Sequence, residues 1–160
     1  MKVLIVDHWG VLCLADKHNR EHNKTDLPNI NEMHTHGKLI DFDKESVNVL
    51  NSLIEQTDCD IVISSDWKKW CSLEKMKEFY KLQGIIKEPI DFTPTIKGKN
   101  IFESRALEIK SWLNTHKISN WVAIDDLYLG DYLTNFVWVS KTDEGIIQNG
   151  IKNKILSFLF

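Results

Sequence analysis

The feature that most restricts the fold is a short apolar run, Lys-Val-Leu-Ile-Val at residues 2–6, which stops at Asp7. Continuous runs of this kind, without polar alternation, mark strands buried on both faces, as in parallel sheets covered by helices. The pattern recurs. Asp60-Ile-Val-Ile runs into Ser64-Ser65-Asp66, Trp121-Val-Ala-Ile runs into Asp125-Asp126, and Asn135-Phe-Val-Trp-Val supplies a fourth run. Between them the spacing turns helical. Asp43 is placed to cap a helix whose apolar positions are Val47, Leu50, Leu53 and Ile54, and the order cap then periodic run is a helix start. A lysine-rich helix is predicted over residues 67–82, with Leu73, Met76, Phe79 and Tyr80 inward and Gly84 ending it. A third is predicted over residues 104–115 on Ala106, Ile109, Trp112 and Leu113, and a last one over residues 151–160 on Ile151, Ile155, Leu156 and Leu159. Residues 85–100 hold Pro89, Pro94 and Gly98 and read as connection, with one short strand predicted at 84–86. Strands alternating with helices imply right-handed crossovers and an α/β class: a Rossmann-like, three-layer domain around a central, mostly parallel sheet.

The 160 residues suit one core and one domain, 1–160. Within it, residues 13–42 are polar and without period, hold Pro28 and four of the six histidines, and read as a small insertion. With 42% hydrophobic and 27% charged residues, disordered and fibrous classes are excluded. A net charge of −3 argues against a surface that grips nucleic acid everywhere, although residues 61–120 carry 11 Lys+Arg against 7 Asp+Glu. Cys13, Cys59 and Cys71 are odd in number and unpatterned, so reduced thiols and no disulfide-linked partner are expected. No run approaches the about 18 apolar residues of a membrane span, and the first run is too short for a secretory signal. A soluble, cytoplasmic protein without a membrane partner is expected.

In open α/β sheets, ligands sit beyond the carboxyl ends of the strands. Asp7, Ser64, Asp125 and Asp126 all stand there, and their convergence on one crevice is the main functional signal. Carboxylates from two strands repel unless a cation lies between them, and Mg²⁺ with hard oxygen ligands suits such a place. Ser64 offers a hydroxyl to a phosphate oxygen. Gly10 permits a tight turn whose N–H groups can face an anion, and Arg105 can supply fixed positive charge.

These residues resemble the four motifs of the haloacid-dehalogenase-like (HAD) superfamily: Asp7-His-Trp-Gly-Val-Leu after the first strand, Ile-Val-Ile-Ser-Ser-Asp-Trp after the second, Arg105 in its helix, and Trp-Val-Ala-Ile-Asp-Asp. The closing Val-Ser-Lys-Thr-Asp-Glu-Gly-Ile is similar to the tail of small HAD proteins grouped with RNA-repair phosphatases. The resemblance implies a small-cap, Mg²⁺-dependent phosphohydrolase or phosphotransferase. Asp7 would be the nucleophile that forms an aspartyl-phosphate. Ser64, or else Ser65, would hold the phosphate, and Arg105 would neutralise it, with Lys97, Lys99 and Lys110 as lesser candidates. Asp7, Asp125, Asp126 and the main-chain carbonyl of Trp9 would bind Mg²⁺. The insertion at 13–42 would serve as a minimal cap that helps choose the substrate.

Trp9 is a departure. The resemblance places a second Asp there, to protonate the leaving oxygen and then activate water, and an indole N–H does not titrate. Loss of such a group costs about 10²–10⁴ in rate, so the alternative is a catalytically weak or inactive phosphate- or nucleotide-binding module. His8 should point away by strand alternation, leaving Asp66 and Asp126 as better substitutes. Two constellations have two readings each. His18, His22, His34 and His36 are either a transition-metal cluster, unsupported by any fourth ligand at fixed spacing, or polar residues of the insertion. Trp67 and Trp70, flanking Lys68 and Lys69, are either a stacking and charge surface for a base or nucleic-acid end, or core aromatics beside solvated lysines. Trp112, Trp121 and Trp138 read as core. The expected partner is a phosphorylated small molecule, a nucleotide by preference, or a nucleic-acid end.

Overall fold

A computed structural model describes residues 1–14 and 39–160. The four histidines of the insertion, and most of the 13–42 segment with them, lie outside the described residues. Five strands form one sheet in the order β3-β2-β1-β4-β5, with every pair parallel: β1 (Lys2–Val6), β2 (Asp60–Ile63), β3 (Pro89–Phe92), β4 (Asn120–Asp125) and β5 (Phe136–Trp138). Among the described residues four α-helices accompany them: α1 (Lys44–Thr57), α2 (Leu73–Leu82), α3 (Ile101–Asn114) and α4 (Ile151–Leu159). The expected α/β class holds.

The first apolar run becomes the middle strand, and Val3, Leu4, Ile5 and Val6 have no exposed surface. Alternation divides them between two cores. Leu4 and Val6 join Leu50 and Leu53 of α1 and Ile155 and Leu159 of α4, whereas Val3 and Ile5 join Ala106, Ile109 and Trp112 of α3. Each such side chain contributes about 1.5–3 kcal/mol on burial. Asp43 caps α1, accepting from the Ser46 N–H at 2.9 Å.

Four expectations are corrected. Residues 67–82 are not one helix. Ser65 caps a short 3-10 helix, Asp66–Lys69, and Ser72 caps α2 by accepting from the Lys75 N–H, so two hydroxyls start two separate pieces. The short strand lies at Pro89–Phe92 rather than 84–86, because the Ile85 and Ile86 N–H groups are taken by the Tyr80 carbonyl and the Asn51 side chain. Pro89 lacks a donor and sits at the start of an edge strand, where none is needed. Helix α3 starts three residues early, capped by Asn100, which puts Arg105 in its second turn. Trp138 is not core: it is 46% exposed on edge strand β5, its Nε1 donating to the Asp126 carbonyl at 3.0 Å. Trp112 is buried and Trp121 half-buried.

Two features lock the turn that follows β1. His8 points into the core, hydrogen-bonded to the Tyr80 hydroxyl at 2.7 Å and packed against Phe42 and Trp67. Gly145, with φ of 60°, lies so close to this turn that a Cβ would stand 2.4 Å from the Val11 carbonyl oxygen. The Ile146 N–H donates to that same carbonyl at 2.9 Å.

Within its described surroundings, His8 Nδ1 has no hydrogen-bond partner. Tyr80→Phe would strand the second ring nitrogen as well. It should lower the unfolding free energy by about 1–3 kcal/mol, read as a shift in the urea midpoint without a change of slope.

Candidate active site

Parallel pairing brings the carboxyl ends of β1, β2 and β4 together. The Asp7 N–H donates to Ile124 at 3.1 Å and the Ser64 N–H to Val6 at 2.9 Å, so Asp7, Ser64 and Asp125 share one edge. Asp7 and Asp125 are sunk below the surface, 6% and 1% exposed. Arg105 reaches between them from α3. Its Nη1 stands 3.4 Å from Asp7 Oδ1 and 3.0 Å from Asp125 Oδ2, and also donates to the Ser64 carbonyl. Its Nη2 lies 4.0 Å from Asp66 Oδ2.

Burial dominates the electrostatics. It pushes the Asp7 carboxyl up to about 7, with Arg105 opposing and Asp126 adding to the rise. Burial and the neighbouring Asp7 charge likewise hold Asp125 well above the usual carboxylate range, against Arg105. Burial works against the guanidinium too, but Asp7 and Asp125 outweigh it and Arg105 stays charged. His8 is driven down to about 3 by burial and then by Arg105, so the ring in the core is neutral.

One carboxylate oxygen each from Asp7, Asp125 and Asp126 fall within 4.8 Å of one another. These are hard donors with excess negative charge, and they fit Mg²⁺. Gly10 helps to form this set, though not as an anion nest. Its N–H donates to the Cys13 carbonyl at 2.8 Å, and the N–H groups of Val11, Leu12 and Cys13 go to His8. Its contribution is room: φ is +76°, and a Cβ would stand 2.9 Å from Asp126 Oδ2.

A cleft of about 490 Å³ opens beside Asp7, with Trp9, Ser65, Asp66, Arg105 and Asp126 on its walls. The two serines separate here. Ser65 lines the cleft, whereas the Ser64 hydroxyl is 1% exposed and without a partner among the described residues. Trp67 is 2% exposed and packs with His8, Phe42 and Phe79, so the core reading holds for it. Trp70, half-buried, lines the cleft with Lys69 and Lys97. Lys68 does not face it: Nζ is 2.8 Å from Glu108 Oε2 and 2.9 Å from the Pro94 carbonyl, and burial lowers its pKa against the pull of Glu108. Glu108 is the residue that sequence reasoning missed. It lies one turn after Arg105 on the same helix face, a spacing legible in the sequence, but its partner 40 positions away is not. Its Oε1 accepts from the Ile96 N–H at 3.1 Å, which ties the cleft wall to α3.

Residues 3–146 match the family model described as the HAD domain in Swiss Army Knife RNA repair proteins. No curated protein and no solved structure shows significant similarity to the chain. All three cysteines are free, and no helix among the described residues is long and apolar enough to cross a membrane.

Arg105→Met would leave two buried carboxylates facing each other. The expected loss of stability is about 3–5 kcal/mol by denaturant titration. Added Mg²⁺ should raise the melting temperature of this variant by more than that of the unmodified protein, since the ion then supplies the missing charge.

Proposed function

Because the chain belongs to the family of HAD domains in Swiss Army Knife RNA repair proteins, we propose that it is a Mg²⁺-dependent phosphohydrolase or phosphotransferase acting on a phosphomonoester, a nucleotide or a nucleic-acid end by preference. The observation that carries this reading is Asp7, a carboxylate at the cleft edge with Arg105 at 3.4 Å and Ser65 on the same wall.

In the first half of the reaction, an Asp7 oxygen bonds to phosphorus as the ester P–O bond breaks, and the electron pair leaves on the substrate oxygen. Arg105 lowers the cost of bringing an anion to an anionic nucleophile. The Ser65 oxygen accepts from the Trp67 N–H at 3.3 Å, which leaves its own hydrogen to donate to a phosphate oxygen. Mg²⁺ held by Asp7, Asp125, Asp126 and the Trp9 carbonyl would neutralise phosphoryl charge. In the second half, water or an acceptor hydroxyl attacks phosphorus and releases Asp7.

Each half moves a proton, and Trp9 can do neither. His8 is committed to the core. Asp66 and Asp126 line the cleft, and either carboxylate can accept the proton of an attacking water. Without the usual acid, departure of an alkoxide is slow and good leaving groups are favoured. Trp9 on the cleft wall also supports the second reading, a module that binds phosphate or nucleotide and turns it over poorly.

Turnover of an aryl phosphate should require Mg²⁺ and vanish in Asp7→Asn. Trp9→Asp should raise the rate on alkyl phosphates by up to about 10²–10⁴ and shorten the life of the phosphoenzyme, read by acid quench. Phosphate binding without turnover in the unmodified protein would favour the binding module.

A further inference from the structure

We infer that the cleft is a subsite for a nucleoside that carries a second phosphate, its base lying along Trp70 and that phosphate near Lys97. This inference rests on the phosphomonoester reading above and names what the ester's other side must be.

Besides Asp7, Arg105, Ser65 and Asp126, the cleft is lined by the carbon surfaces of Trp9, Trp70, Ile96 and Ile101. A sugar or polyol phosphate bound at Asp7 would turn its hydroxyls toward these carbon surfaces and lose hydrogen bonds to water. A flat base suffers no such loss, because each of its faces is a π surface. The volume of about 490 Å³ falls in the range of small-molecule sites.

Trp70 is set before a ligand arrives. Its ring leans on Trp67 at 6.4 Å between centroids, and Trp67 is itself held in the core by His8 at 4.6 Å. An aromatic surface whose orientation is fixed by buried neighbours loses little entropy on stacking. Two lysines also line the cleft. Lys97 is exposed and makes no ion pair among the described residues, and Lys69 is 52% exposed with Asp66 at 3.3 Å. The phosphate at Asp7 already has Arg105 and Lys69 already has Asp66, so Lys97 is left to answer to a different negative group. A base flanked by two phosphates has two sources, the terminal nucleotide of a strand and a free nucleoside 3′,5′-bisphosphate.

The test compares kcat/KM for glycerol phosphate, a nucleoside 5′-monophosphate, a nucleoside 3′,5′-bisphosphate and a short single-stranded oligonucleotide bearing a terminal phosphate. The unmodified protein should prefer the nucleotides to glycerol phosphate. Trp70→Leu should cut that preference about 10–100-fold, the worth of one stacked base, and Trp70→Phe should keep most of it, which separates stacking from misfolding. Lys97→Ala should selectively lower the preference for bisphosphate over monophosphate. An oligonucleotide favoured over the bisphosphate identifies a strand end, and the reverse identifies the small molecule. Equal kcat/KM for glycerol phosphate and the nucleotides, or a preference that Trp70→Leu does not move, overturns the inference and leaves the hydrolase reading standing. If no phosphate is turned over, that reading fails, and calorimetry with the bisphosphate decides the subsite: binding weakened in Trp70→Leu upholds it, and absence of binding overturns it.

Discussion

Asp7 and Asp125 are held out of water at the ends of adjacent parallel strands, with the Arg105 guanidinium between them. Much of the architecture serves that arrangement. Buried like charges are tolerable only beside a fixed cation, so α3 must deliver Arg105 at one height and one angle. The helix is set by Ala106, Ile109 and Trp112 on the second core, and one turn on from Arg105 the Glu108–Lys68 pair fastens it to the 3-10 helix and to residues 94–96. A buried pair of this kind is weak evidence for stability. Here it fixes the position of a cleft wall.

Strand alternation divides three consecutive residues among three tasks. Asp7 meets the guanidinium, His8 turns into the aromatic core, and Trp9 faces the cleft. A neutral histidine in that core has the volume of a small aromatic and a hydrogen bond for Tyr80, which pins the turn from below. An anion-binding turn of free backbone N–H groups does not form here, because Gly10, Val11, Leu12 and Cys13 spend theirs internally. Under the proposed phosphomonoester reading, side chains and a metal would have to hold the phosphate instead.

The strands and their polar ends were legible because parallel strands buried on both faces leave an unmixed apolar signature, and Asp7, Asp125 and Asp126 follow directly from it. The start of α1 was legible at its Asp43 cap, whereas the Asn100 cap of α3 was missed and two further caps, Ser65 and Ser72, divide what reads as one lysine-rich helix. What stayed hidden is side-chain direction across the chain. Ser64 and Ser65 are equivalent in sequence, and only the path after β2 decides which hydroxyl meets the cleft. Lys68 and Lys69 are likewise neighbours with opposite fates, one neutralised by a glutamate 40 positions on and the other lining the cleft. Trp138 was misread because an edge strand looks like a central one until its neighbours are known.

The contact between Gly145 and the Val11 carbonyl bears on the order of events during synthesis. Asp7 is made well before its surroundings: β1 is the middle strand and needs β2 and β4 on its flanks, and its turn is closed by the Ile146 N–H. Pairings this distant in sequence form late and slowly. A nascent chain that carries Asp7 thus cannot close the turn after β1 until residue 146 is free of the ribosome, and β1 waits uncovered until β2 and β4 have followed it. Folding of this protein is accordingly a race between closing the sheet and meeting another exposed strand.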